Sequence, residues 1–128
     1  MAGFSPEILE TAEREREVEF ETFGRKSGKP SKVIIWITRA GDSLFIRSGG
    51  GLDRDWPQNL QHHGKAVLHL AGQAIPVTAR HVEDVAEAKR ITRAVQAKYH
   101  SGADGHDQPE DAPPVPAELA TFELLPAD

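Results

Sequence analysis

The sequence predicts an α+β protein, mainly β, with about six strands in an antiparallel barrel and two helices. Short β-branched or alternating segments recur along the chain, separated by turns rich in Gly, Pro and Asp. Residues 84–100 instead repeat apolar side chains every three or four positions, as a helix does. The length of 128 residues fits one domain, so we expect residues 1–128 to share a single core.

The two helices are predicted by different signals. Ser5 is a helix-capping residue followed by Pro6, which favours the first helical position, so a short helix should run to about Arg14. The longer helix near 84–100 carries one apolar stripe, composed of Val85, Ala88, Ile91, Val95 and Tyr99.

Six segments are predicted as strands: residues 17–23, 32–38, 44–47, 66–70, 73–82 and 119–125. The run 33–37 is apolar throughout, which is typical of a central strand covered on both faces. Pro76 cannot donate a backbone hydrogen bond, so its strand should lie at an edge or contain a bulge. Residues 101–117 are acidic and rich in Pro and Gly, and predict a long flexible loop or lid.

Composition excludes several kinds of site and location. The chain has no cysteine, which excludes disulfides, thiolate metal sites and a cysteine nucleophile. The six histidines form no compact metal-binding motif, so no metal is predicted. The sequence has no apolar run of about 20 residues and no basic start followed by an apolar segment. We therefore expect no membrane span and a cytoplasmic protein.

Charge is distributed unevenly along the chain. Residues 22–100 hold thirteen Lys and Arg against six Asp and Glu, whereas both ends are acidic. A basic middle favours an anionic ligand such as a phosphate, a nucleotide or a nucleic-acid backbone. The alternative is that the acidic ends serve only solubility.

Two segments are candidate ligand sites. The basic hairpin, residues 24–32, carries four cations and no acid, and its glycines permit backbone N–H groups to turn towards an anion. The glycine segment, residues 48–60, allows close approach of a ligand and is flanked by Arg47 and Arg54. Trp56 could cover a ring system and Asn59 could orient one. The alternatives are a solvated hairpin tip and a flexible loop in which Trp56 is a core anchor.

Tyr99 ends the longer helix and is the single tyrosine of the chain. Core packing is its ordinary role, and a proton donor to a substrate is the catalytic alternative. Only one aromatic residue, Trp56, lies near the glycine segment, which disfavours a base-stacking surface and hence a nucleic-acid partner.

These segments together resemble the deazaflavin-dependent nitroreductase family of the pyridoxamine-phosphate-oxidase-like split-barrel superfamily. The resemblance rests on TFGRKSG at 22–28, GD at 41–42, RSGGG at 47–51 and WPQNL at 56–60. It implies a six-stranded split barrel, a homodimer, and coenzyme F420 or, in related branches, FMN in a groove at the barrel edge. Carried over to this chain, it implies that the cofactor contacts Arg25, Lys26, Ser27, Ser48, Gly50, Trp56 and Asn59.

The chain departs from the family at Gly49, where the family has a phosphate-binding lysine. Arg47 and Arg54 are the candidates to replace that charge. The resemblance implies hydride transfer between reduced F420 or FMN and a small organic acceptor. The alternative is a non-catalytic protein that binds a flavin, a deazaflavin or another anionic ligand on the same fold.

Overall fold

The computed structural model describes residues 3–48, 51–99 and 113–127, and they form an α+β fold with a curled antiparallel sheet. Seven strands, not the six expected, make up the sheet in the order β2-β1-β5-β6-β7-β4-β3. The strands are β1 (Val18–Phe23), β2 (Pro30–Ile35), β3 (Ile37–Ala40), β4 (Ser43–Arg47), β5 (Lys65–Leu70), β6 (Gln73–His81) and β7 (Thr121–Pro126).

The additional strand arises because the predicted segment 32–38 is broken at Trp36. β2 ends at Ile35 and β3 begins at Ile37, and these two strands are the opposite edges of the sheet. A single residue joins the two edges, so the sheet must curl round into a half-barrel.

The expectation of a central, doubly covered strand at 33–37 is wrong. β2 pairs only with β1, and Ile34 is 62% exposed. The strand covered on both faces is β4 instead. Its Leu44 and Ile46 belong to the main core, whereas Phe45 packs on the other face with residues of the longer helix.

Four α-helices and one 3₁₀ turn flank the sheet in the described part of the chain: α1 (Pro6–Arg14), a 3₁₀ turn (Gly51–Asp53), α2 (Asp55–His63), α3 (Val85–Tyr99) and α4 (Pro116–Leu119). The N-cap of α1 is as predicted, since Ser5 Oγ accepts the Ile8 N–H at 3.3 Å. Four members of the predicted α3 stripe, Ala88, Ile91, Val95 and Tyr99, are buried with Phe45 and Val82 in a second core cluster, whereas Val85 is exposed at the start of the helix. The predicted flexible loop is corrected at its end, because α4 begins at Pro116, and residues 101–112 lie outside the described residues.

Pro76 lies neither in an edge strand nor at a described bulge, because β6 pairs with both β5 and β7. The β7 register begins only at Val77, and the Pro76 carbonyl accepts the Ala127 N–H at 3.0 Å. Pro76 therefore lacks its N–H on the side that faces the end of β7. The loss costs little there, because the ladder between β6 and β7 begins only at the next residue.

The turn between β5 and β6 contains a non-glycine residue in the left-handed region. Ala71 has φ 56° and Gly72 has φ 71°, the two-residue geometry that favours Asn-Gly. Ala71→Asn is expected to raise the free energy of unfolding by about 0.5–1 kcal/mol, because Asn tolerates this conformation better than Ala. Chemical denaturation measures it. The matched control Ala74→Asn lies in β6, and an equal gain there would contradict the argument.

Candidate functional site

A cavity of about 310 Å³ opens where the two sheet edges meet, beside the end of β4 and the start of α2. Its volume lies at the lower end of the range for small-ligand sites. The walls are mainly apolar, with two arginines, one glutamate and two hydroxyl groups. The lining residues are Glu17, Ile34, Ile35, Trp36, Thr38, Phe45, Ile46, Arg47, Ser48, Arg54, Trp56, Ile91 and Val95.

The two arginines of the cavity are held very differently. Arg47 is fixed, because its Nε donates to Thr121 Oγ1 at 2.8 Å and its Nη2 donates to the Ala88 carbonyl. Arg54 is exposed at the N-cap of α2, and its side chain makes no hydrogen bond or ion pair within the described ranges. Its guanidinium is therefore available to an anion at the cavity mouth, next to the positive end of the α2 dipole.

Ser48 places an unpaired hydroxyl in the cavity wall. Its backbone is fixed on both sides, because its N–H donates to Ala120 at 3.1 Å and its carbonyl accepts the Gly51 N–H at 3.0 Å. Ser48 is 2% exposed, and its Oγ finds no hydrogen-bond partner among the described residues. A buried hydroxyl without a partner is costly, so a ligand atom in the cavity is a natural partner for it.

Trp56 forms part of the cavity wall and is also a core anchor. Its ring meets Phe20 edge-on at 5.9 Å and lies 6.2 Å from Phe122. The core-anchor role is therefore confirmed, and the predicted role of covering a ring system stays a prediction for this buried side chain.

The basic hairpin lies beside the cavity and not in its lining. Arg25 Nη1 donates to Asn59 Oδ1 at 2.9 Å and to the Asp55 carbonyl at 3.3 Å, and its Nη2 lies 3.7 Å from Asp55 Oδ1. Asp55 directly follows Arg54 in the sequence, so these contacts place Arg25 next to the start of α2. Asn59 in turn donates to the buried Thr22 Oγ1 at 3.4 Å, so Asn59 links α2 to β1 as well as to the hairpin.

Three backbone N–H groups of the hairpin are used within the loop. The Gly24 N–H donates to the Lys29 carbonyl, and the Gly28 N–H donates to the Gly24 carbonyl. The Lys29 N–H donates to Ser27 Oγ. Lys26 and Ser27 are exposed at the tip. The N–H groups of Arg25, Lys26 and Ser27 have no partner among the described residues, so an anion at this loop could be bound by backbone and side chains together.

Tyr99 lies behind the cavity. Its hydroxyl accepts the Ile37 N–H at 3.1 Å and lies 2.8 Å from the Ile37 carbonyl and 2.7 Å from that of Arg16. Burial raises the pKa of Tyr99, which keeps the phenol protonated at neutral pH. Its ring stacks on Trp36, whose side chain does line the cavity.

The structure therefore brings together four of the predicted residues, Arg47, Ser48, Arg54 and Trp56, in one cavity. Arg25 and Asn59 pair beside it, whereas Gly50 lies outside the described residues. Sequence reasoning missed Glu17, Ile34 and Trp36 as lining residues. A bulky tryptophan inside an otherwise β-branched apolar run was the one available signal.

The structure shows neither a metal-ligating cluster nor a membrane-spanning helix among the described residues. The described ranges contain no group of three or more His, Asp or Glu side chains placed to hold a metal ion. Within the same ranges, no helix is both long and apolar enough to cross a membrane.

The fold and the cavity define a single-sheet α+β protein with a ligand-sized site at the junction of its sheet edges. Residues 8–121 match the model of a family described as uncharacterised proteins conserved in bacteria (DUF2255), and the chain belongs to this family. A comparison with curated proteins finds no match.

Several solved structures share the fold at low sequence identity. An F420-H2-dependent reductase matches with TM-score 0.62 at 18% identity, over 86% of this chain and 93% of its own. HutZ, the haem storage protein of Vibrio cholerae, matches with TM-score 0.69 at 17% identity, over 97% and 90%. A pyridoxamine 5′-phosphate oxidase candidate from Listeria innocua matches with TM-score 0.62 at 14% identity, over 94% and 90%. The split-barrel type expected from the sequence is consistent with these matches.

Proposed function

We propose that the cavity binds F420 or FMN and that the protein is a reductase for a small organic acceptor. The observation that carries the proposal is that Arg47, Ser48, Arg54 and Trp56, predicted from one stretch of sequence, all line one cavity. An F420-H2-dependent reductase among the structural matches supports the cofactor class.

The residues present fit the anionic end of such a cofactor. Arg54 has no partner in the described part of the chain, and Ser48 Oγ is buried and unpaired. A phosphate oxygen would satisfy both groups at once. Arg25 adds a second guanidinium beside the start of α2, which compensates for the lysine that Gly49 replaces.

The chain's own residues bind and orient the cofactor and exclude water from the cavity. When bound, the cofactor supplies the hydride, so no strong general acid is required of the protein. Phe45, Ile91 and Val95 form an apolar wall that limits water, and Trp56 is held rigidly by the core.

Two wider expectations accompany the proposal. The assembly is a homodimer, an expectation supported by a structural match described as a domain-swapped dimer, with TM-score 0.62 at 20% identity. The location is the cytoplasm, which stays a prediction from the sequence.

Absorbance titration of the purified protein with FMN and with F420 tests the proposal. Arg54→Gln should weaken the binding of whichever of the two cofactors the wild type binds by about tenfold, since one charge-assisted hydrogen bond is lost. Arg14→Gln is the matched control, because its contact with Thr11 stays within α1. No spectral change with either cofactor would overturn the proposal, and equal losses in both variants would overturn the role of Arg54.

Ser48→Ala separates ligand binding from stability. Removing an unpaired buried hydroxyl should raise the free energy of unfolding by about 1 kcal/mol, while cofactor affinity falls. Thermal and chemical denaturation without ligand measure the first effect, and the titration measures the second. A loss of stability would show that Ser48 Oγ has a structural partner.

The non-catalytic alternative is favoured by one observation. The hydroxyl of Tyr99, the predicted proton donor, is engaged by Ile37 and Arg16 and does not line the cavity. A protein that binds cofactor yet fails to reduce quinones or nitroaromatics would support this alternative.

A further inference from the structure

Trp36 is an exposed aromatic ring held in a fixed orientation. It lies in the single-residue break between β2 and β3, is 38% exposed and lines the cavity. The rings of Trp36 and Tyr99 are stacked, with centroids 4.1 Å apart and planes at 3°. One face of Trp36 is therefore covered, and its exposed surface faces the cavity side.

Contacts around Tyr99 keep this stack rigid. The Tyr99 hydroxyl binds the backbone of Ile37, the residue directly after Trp36. Lys98 donates to the carbonyls of Ala12, Glu15 and Ile37 at 2.6–2.8 Å, which ties α3 to α1 and β3. A ring fixed before binding loses little conformational freedom when a ligand stacks on it.

The surroundings of Trp36 define the shape and charge of a matching ligand. Ile34 extends the apolar surface on the edge strand, and Ile91 and Val95 add apolar lining from α3. Flat aromatic surfaces favour planar conjugated partners in offset stacking. Arg54, at the same cavity, has no partner within the described residues and favours an acidic substituent.

The geometry points to Trp36 as a stacking platform for the acceptor, which is a planar conjugated ring system carrying a carboxylate or similar acid. The platform takes the ring, and Arg54 takes the acid. The Arg54 guanidinium has five N–H donors, so it can bind this acid beside a cofactor phosphate. That this ligand is the acceptor rests on the proposed function, but binding of the ligand is measured without any cofactor.

Calorimetric binding of 2-naphthoate to the cofactor-free protein tests the platform. Decalin-2-carboxylate has the same acid on saturated, non-planar rings, and it should bind about tenfold more weakly. Trp36→Leu should lose about tenfold in 2-naphthoate affinity, whereas Trp36→Phe, which keeps a planar ring, should stay within about threefold. Arg54→Gln should reduce the affinity for 2-naphthoate to that for neutral 2-naphthamide.

The remaining outcomes are decisive. Equal binding of the planar and saturated acids, or an unchanged affinity in Trp36→Leu with an unchanged unfolding midpoint, would overturn the platform. Should Trp36→Leu unfold, the comparison of the two acids on wild type and Trp36→Phe still decides the question. A tenfold loss of FMN affinity in Trp36→Leu, with 2-naphthoate competing against FMN, would assign the platform to the cofactor ring and overturn the acceptor assignment. Binding of 2-naphthoate with no binding of FMN or F420 would refute the proposed function and leave the aromatic site intact.

Discussion

Glu118→Ala is expected to lower the free energy of unfolding by about 3 kcal/mol. The Glu118 carboxylate is 1% exposed, and it accepts hydrogen bonds from Thr92 Oγ1 at 2.7 Å and from the Val115 N–H at 3.0 Å. Lys89 Nζ lies 3.3 Å away, on a side chain that is itself 10% exposed. Alanine would leave all three donors without this acceptor, one of them a largely buried charge, and would detach α4 from α3. Chemical denaturation at pH 7 measures the loss.

The matched control is Glu123→Ala. Glu123 also pairs with a cation, Arg80 at 2.8 Å, but the guanidinium is 44% exposed and keeps Glu87 as a second partner. Its loss should cost no more than about 1 kcal/mol. Similar costs for the two variants would contradict the special role given to the buried carboxylate.

Glu118 also predicts a pH dependence. Burial is the largest influence and raises the pKa of Glu118, but the hydrogen bonds from Thr92, Val115 and Lys89 together outweigh it and hold the pKa below the ordinary 4.5. The native state thus binds fewer protons here than the unfolded state. The stabilisation is present above pH 4.5 and is lost as the pH falls through the lowered native pKa.

Glu118→Gln tests this sign, because it removes the titration and keeps the shape. Wild type should exceed Glu118→Gln in unfolding free energy at pH 7, and the difference should shrink between pH 5 and pH 3. Denaturant unfolding at each pH measures it. A difference that stays constant or grows on acidification would show that the carboxylate is not ionised in the native state.

The parts of the fold that the sequence predicted are those whose signals are local. The start of α1 is set by Ser5 and Pro6, and α3 by its own apolar stripe. The position of the break at Trp36 is not local. It is set by Tyr99 and Lys98, which bind Ile37 from more than 60 residues away. No periodicity within 32–38 could show that this segment would be divided between two edges.

The same distinction explains the candidate site. Arg47, Ser48, Arg54 and Trp56 were identified because glycines and cations cluster within one stretch of sequence. Trp36 and Ile34 were interpreted as core because an apolar β-branched run normally is. Their exposure follows from the curl of the sheet, which leaves β2 at an edge. Glu118 was likewise interpreted as one acid of the acidic C-terminal end. Its buried partners Lys89 and Thr92 lie on α3, 29 and 26 residues away in sequence, so no local pattern indicates them.

Tyr99→Phe is expected to lower the free energy of unfolding by about 1–3 kcal/mol and to leave cofactor-dependent turnover within a few fold. The hydroxyl accepts the N–H of Ile37, a fully buried residue, so phenylalanine would leave that donor without its acceptor. The Ile37 carbonyl would keep Lys98 as its donor at 2.6 Å, and Arg16, whose carbonyl also lies near the hydroxyl, is exposed to water, so the main cost falls on the Ile37 N–H. Denaturation and steady-state kinetics on the same preparation measure the two effects.

Kinetics separate the two interpretations of Tyr99 that the sequence left open. A general acid contributes a factor of about 10² to 10⁴ to the rate, so loss of a catalytic proton donor would lower kcat at least a hundredfold. A positioning residue that holds Trp36 would change kcat little in Tyr99→Phe, because the stacked ring remains. Tyr99→Leu removes the ring as well, and it should raise the KM for a planar acidic acceptor relative to Tyr99→Phe. A hundredfold fall in kcat for Tyr99→Phe at unchanged KM would establish Tyr99 as catalytic despite its backbone contacts.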